Sequence, residues 1–273
     1  MHARSALFDL YGDHLRPRGG QASVAALIRL LAALDIAPPA VRTAVSRMVR
    51  QDWLEPVRLG SGPGYALTGK AQRRLDEAAA RIYRTRDTGW DGRWDVLAFQ
   101  PLAKRSVRER LRTGLSFLGY APISETTWVS TRCSDEARAL LAAEAVDVHR
   151  FRAVLDGDPA ALAARTWDLR ALGNDYRRWR GEADRILASA GVAPPDQRAF
   201  AIRSTLVHEW RKFLFTDPGL PRELLPPAWP GEAAAAFFDE AADRLLPGAR
   251  RFVDACLHTD PLSGAARDHE GAR

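Results

Sequence analysis

At Trp53 the apolar period of the chain changes from helical to alternating, and at Thr68 it changes back. In the stretch between, WLEPVRLGSGPGYALT, Leu54, Val57 and Leu59 precede the run Gly60-Ser61-Gly62-Pro63-Gly64, and Tyr65-Ala66-Leu67 follows it. That pattern predicts a two-stranded hairpin with a small-residue tip. Three helical periods come before it. The first spans Ser5 to Leu15, with Leu7, Leu10, Tyr11 and Leu15 on one side, and is broken by Arg16-Pro17-Arg18-Gly19-Gly20. The second runs from about Ala22 to Leu34 and carries Val24, Leu27, Ile28, Leu31 and Leu34. Asp35-Ile36-Ala37 is a short turn. Pro38-Pro39 then opens a third helix, where a missing N–H is harmless. That helix reaches about Gln51, and Val41, Val45, Met48 and Val49 fall on one face. After the hairpin, Thr68 starts a fourth helix through about Arg84, with Ala71, Leu75, Ala78 and Ile82 as its buried stripe.

Three helices followed by a hairpin are the elements of a winged helix-turn-helix. In that fold the third helix enters the DNA major groove and the hairpin lies along the backbone or minor groove. With Val41, Val45, Met48 and Val49 inward, the third helix turns Arg42, Thr43, Ser46, Arg47 and Arg50 outward. Arginine can grip guanine O6 and N7 with two bonds, and Ser or Thr can bond base edges or phosphates. Which of the five reads a base is left open. Arg58 and Tyr65 flank the hairpin tip, whose glycines allow close backbone approach to a phosphate. A small helical bundle with an exposed basic helix is the plainer alternative.

Charge separates the chain in the same place. The net +6 lies entirely in residues 1–88, with 14 Lys/Arg against 8 Asp/Glu, while the remainder holds 26 of each sign. A basic segment on a neutral body points to an anionic partner at that end. No stretch approaches the roughly 18 consecutive apolar residues of a membrane span. The first residues lack the apolar core and cleavage site of a secretory signal. Cys133 and Cys256 have no companions, so neither a disulfide framework nor a Cys-rich zinc site is expected, and a reducing cytoplasm is.

The rest of the chain predicts an α+β protein of three domains and a tail. Residues 1–86 form the winged helix-turn-helix, 90–157 a middle domain, 160–260 an all-helical C-terminal domain, and 261–273 a flexible tail. Strands are expected at Arg93–Phe99, Thr126–Ser130 and Val146–Leu155, with helices from Lys104 and over Ser134–Ala145. This succession is ferredoxin-like. Its role is expected to be dimerisation or positioning.

Catalytic and metal sites are not expected. Gly64 to Ala71 nearly fits a Walker A loop, but Ala71 has no hydroxyl for magnesium. His208-Glu209 begins like HExxH, yet Lys212 stands where the second His belongs. The middle domain resembles CRISPR-associated small nucleases, which carry an aspartate at the end of the first strand. Here that strand ends Phe99-Gln100-Pro101, and its only acid, Asp95, lies near its start. No nucleophile with a base at a recognisable spacing is found.

Several long runs carry a family resemblance. SALFDLYGDHLRPRGG (Ser5 to Gly20), LIRLLAALDIAPPAVRTAVSRMVRQDWLEP (Leu27 to Pro56), WDGRWDVLAF (Trp90 to Phe99) and HEWRKFLFTDPGLPRELLPPAWPG (His208 to Gly231) closely resemble PaaX-like repressors. These regulate bacterial phenylacetate degradation. The likeness covers about residues 5–255. It implies a homodimeric repressor that binds double-stranded DNA at a palindromic operator and is released by an aryl-acetyl-CoA thioester, typically phenylacetyl-CoA. The small Gly60–Gly64 tip departs from the bulkier, more basic wing common in the family. A CoA thioester needs cations for its phosphates and an apolar slot for its acyl group. His208, Arg211 and Lys212, with Arg177 and Arg178 beside Tyr176 and Trp179, are the candidate effector-binding residues, and the plain reading of each is a packed or solvated helix face. No cofactor and no membrane contact are expected. Two other classes stay open: an acyl-CoA-binding enzyme with a DNA-binding accessory, and an effector-independent DNA-binding protein or nuclease adaptor.

Overall fold

A computed structural model describes residues 1–60, 62–82 and 89–258. Ser61 at the hairpin tip, most of the Thr85–Asp91 link, the side chains of Ala78 and Ile82, and the tail from Pro261 lie outside the described residues. The chain forms two compact units. One is drawn from residues 1–82, 180–210 and 236–258, the other from 89–179 and 211–235. Helices of the 160–260 stretch therefore contribute to both. Among the described residues no helix is long and apolar enough to cross a membrane.

The first unit starts with α1 (Ala3–Asp9), which widens into a π-helical turn at Leu10–Leu15 and tightens at Arg16–Arg18. Leu7, Leu10, Tyr11 and Leu15 are all buried, as their spacing predicts, although the helix is not a single α-helix. Gly19 and Gly20, at φ 86° and 68°, turn the chain where L side chains are strained. Three residues expected at the border of the second helix are instead extended as β1 (Gln21–Ser23). The Ser23 hydroxyl then accepts from the Ala26 N–H at 3.2 Å and caps α2 (Val24–Ala32). Helix α3 (Pro38–Arg50) buries Val41, Ala44, Val45 and Met48, while Val49 is only half-buried.

Strands β2 (Leu54–Leu59) and β3 (Gly62–Leu67) pair antiparallel, and β1 adds to the far side of β3 in the order β1-β3-β2. Thr68 caps α4 (Gly69–Ile82), accepting from the Ala71 N–H and donating to the Asp52 carbonyl. One apolar core joins these elements to later ones. Phe200 of α9 (Asp196–Trp210) and Ala249, Val253 and Cys256 of α11 (Pro230–His258) share a cluster with Leu7, Tyr11, Leu27 and Met48. Each large apolar side chain fully buried there contributes about 1.5–3 kcal/mol.

The second unit is a β-α-β-β-α-β succession: β4 (Arg93–Phe99), α5 (Arg105–Phe117), β5 (Ala121–Pro122), β6 (Thr127–Ser130), α6 (Asp135–Ala143) and β7 (Val148–Val154). Its sheet runs β5-β6-β4-β7 with every neighbour antiparallel. Strand alternation sends Leu97 and Phe99 to one face, where Leu111, Leu115, Ala137 and Leu141 pack. Trp94 points to the other face, covered by Ala163 of α7 (Pro159–Thr166), Leu169 of α8 (Leu169–Ala190), Leu220 and Leu224. A short helix, α10 (Phe213–Thr216), completes the unit.

Candidate nucleic-acid interface

The buried stripe of α3 fixes what the helix can present. Arg42, Thr43, Ser46, Arg47 and Arg50 are all exposed, and α3 contains no acidic residue to neutralise its three arginines. Pro38 and Pro39 occupy its first turn, where their missing N–H groups leave no backbone bond unmade. Arg47 and Arg50 lie in the last turn, where the helix dipole favours cations. The Thr43 hydroxyl donates to the Pro39 carbonyl at 2.9 Å, and its oxygen can still accept.

Three other arginines of the N-terminal third are held in contacts within the protein. Arg16 bonds Asp76 at 2.7 Å, Arg18 bonds Asp254 at 2.7 Å, and Arg29 donates to the Cys256 carbonyl at 2.6 Å. Part of the positive charge is thus paired within the protein, while the three arginines of α3 are exposed, as are Arg4, Arg58, Arg73 and Arg74. Sequence reasoning missed this division, because the partners of Arg18 and Arg29 lie more than 200 positions away and leave no local signal.

The two hairpin candidates part company. Arg58 is exposed on β2, opposite Pro63 in the antiparallel register. Tyr65 is half-buried, packs against the core, and accepts from the Tyr11 hydroxyl through its carbonyl at 3.0 Å. Of the tip glycines, Gly64 is needed for packing: a Cβ there would lie 2.7 Å from the Ala22 carbonyl oxygen of β1.

The effector candidates are likewise divided. His208 of the first unit is held by Asp9, with Nδ1 at 2.7 Å from the carboxylate. Helix α9 ends at Trp210, so Arg211 and Lys212 sit in the turn before α10, in the second unit. Arg178 pairs with Asp175 at 2.5 Å. Arg177 is exposed, donates to the Asn174 side chain at 2.9 Å and lines a cavity of the second unit. Asp95, the only acid on the first strand of the middle sheet, is fully buried and accepts from the Tyr120 hydroxyl and, at 2.8 Å, from Arg150.

Comparison with known proteins places these features in context. Residues 2–71 match the family described as PaaX-like protein, 87–163 match the PaaX protein central Cas2-like domain, and 167–255 match the PaaX-like protein C-terminal domain. The chain is 31% identical over 261 residues to the transcriptional repressor PaaX of Escherichia coli (strain K12), covering 91% of this chain and 82% of that protein. It is also similar to the uncharacterized protein Rv0674 from Mycobacterium tuberculosis, with a TM-score of 0.61, 26% identity, and coverage of 93% of this chain and 98% of that one.

Proposed function

The chain belongs to the PaaX-like family, and on that premise we propose that it is a transcriptional repressor whose α3 reads operator DNA. The observation that carries the proposal is the acid-free outer face of α3, which exposes Arg42, Thr43, Ser46, Arg47 and Arg50 together. In this reading α1, α2, α3 and the β2–β3 hairpin form a winged helix-turn-helix, with Arg58 on the wing touching the phosphate backbone. Arginines on α3 reach guanine edges or phosphates, and each phosphate neutralised releases counterions.

The protein acts as a homodimer, so that two copies of α3 meet the half-sites of a palindrome about one helical turn of DNA apart or a multiple of it. Its work lies with the chromosome in the cytoplasm. An aryl-acetyl-CoA thioester such as phenylacetyl-CoA releases it by favouring a conformation in which the two helices no longer fit that spacing. Only a ligand with different affinities for the two states can do this. The relative's role as a repressor supports a non-enzymatic function.

The test is a gel shift on DNA from upstream of its own gene, with and without phenylacetyl-CoA at fixed salt. The proposal expects a shifted band that the thioester removes. A band unchanged by the thioester refutes the effector, and the absence of any band refutes the repressor.

A further inference from the structure

Trp167 and Trp229 help wall a cavity of about 770 Å³ within the second unit, a volume in the range of small-molecule sites. Both rings pack against other aromatic rings. Trp167 stacks on Trp94 with centroids 6.1 Å apart, and Trp229 meets Tyr176 edge-on at 6.0 Å. Tyr176 in turn stacks on Phe213 at 4.1 Å and donates its hydroxyl to Asp217. The Pro226–Pro230 segment forms one side of the cavity, and in it Ala228 is held at φ 55°. A non-glycine residue there costs of order 1–3 kcal/mol, and such strain clusters at ligand sites.

Helix α8 also lines the cavity. Arg170, Gly173 and Arg177 follow at i, i+3 and i+7, so they share one helix face, with the residue that has no side chain between two cations. A Cβ at position 173 would lie 3.4 Å from both the Trp229 ring and the Pro230 ring, in van der Waals contact with each. Arg165, from α7, adds a third guanidinium to the lining. The one carboxylate in the lining, Asp168, accepts from the Ala171 N–H at 2.9 Å as the cap of α8.

We infer that this cavity binds a small ligand with a flat apolar group, which lies against the two indoles, and an anionic part held by Arg165, Arg170 and Arg177. The inference rests on the effector reading above and gives that effector a place. A free aryl acid and its CoA thioester share this chemistry, through a carboxylate in one case and phosphates in the other.

The test is calorimetry on the full chain with phenylacetyl-CoA, phenylacetate and CoA. Wild type is compared with the double variant Arg170→Glu/Arg177→Glu and, on a different helix, with Arg165→Glu. Wild-type binding that weakens about tenfold or more in the variants supports the site. Binding of the thioester and CoA but not phenylacetate assigns the arginines to phosphates, and the reverse assigns them to the carboxylate. If the variants bind the ligand as wild type does and still release DNA with it, the effector reading stands and the cavity assignment falls. Arginine-dependent binding that leaves DNA affinity unchanged keeps the cavity and removes the effector reading. No binding of any of the three ligands by wild type overturns both.

Discussion

Arg203 forks around Asp13: its Nε lies 2.8 Å from one carboxylate oxygen and its Nη2 2.7 Å from the other, with both side chains almost fully buried. The same guanidinium donates to the Ala242 carbonyl. Three stretches far apart in sequence, the widened turn after α1, α9 and α11, therefore meet at one cation. Planar two-point geometry of this kind is specific to arginine.

Removing one partner of a buried ion pair leaves a charge stranded in a low dielectric, at a cost of about 3–5 kcal/mol. Arg203→Ala is expected to lose that much stability in urea unfolding. Arg203→Lys is expected to recover only part of it, because an ammonium cannot fork. A loss below about 1 kcal/mol for Arg203→Ala would show that the fork is not what joins these segments.

Next along the chain, His14 is 1% exposed and its ring lies 5.1 Å from that of Phe200. Burial pushes its pKa down to about 4; the neighbouring Asp13 opposes the shift, and Arg203, Arg18 and Arg250 add to it. An unfolded histidine titrates near about 6.5. Below that pH the unfolded chain takes up a proton that the folded chain refuses. The stability contribution is therefore complete above about pH 6.5 and is lost progressively as pH falls to about 4, by about 3 kcal/mol in all. His14→Phe removes this titration. Between pH 7 and pH 4 the variant is expected to lose about 3 kcal/mol less than wild type in urea unfolding. Parallel curves for the two proteins would refute the assignment.

The hairpin seam offers a sharper contrast. Gly64→Ala places a methyl 2.7 Å from the Ala22 carbonyl oxygen and 2.7 Å from Leu59, whereas a Cβ on Gly60 meets nothing within 4 Å. Overpacking of this sort costs about 1–3 kcal/mol. Gly64→Ala is expected to lower the melting temperature, and Gly60→Ala to leave it within the scatter of surface substitutions, about 0.5 kcal/mol. Equal effects would mean that β1 is not packed against Gly64.

What could be read from sequence follows the range of the forces involved. The buried face of α3 was legible because Val41, Val45 and Met48 repeat within one helix, and β2 and β3 because alternation and glycines are local signals. Strand β1 was not: three residues carry too little pattern to separate from the helix they precede. The turn to π-helix at Leu10 left the apolar spacing intact, so the periodicity could not show it. The packing role of His208 is not legible locally, because its partner, Asp9, is 199 positions away. In the sequence only residue type and the neighbouring Tyr176 and Trp179 single out Arg177. The walls that give it a setting, Trp167 and the Pro226–Pro230 segment, come from two separate stretches of chain.

The most direct test of the central claim is fluorescence anisotropy of the full chain on DNA from its own upstream region, comparing wild type with Arg42→Ala/Arg47→Ala over a range of salt concentrations. Both arginines are exposed, so the fold should be unaffected. The account predicts that the double variant binds at least about tenfold more weakly, and that the slope of log affinity against log salt falls by about 0.9 for each phosphate no longer neutralised. Equal affinity and an equal salt slope for the two proteins would contradict α3 as the DNA reader.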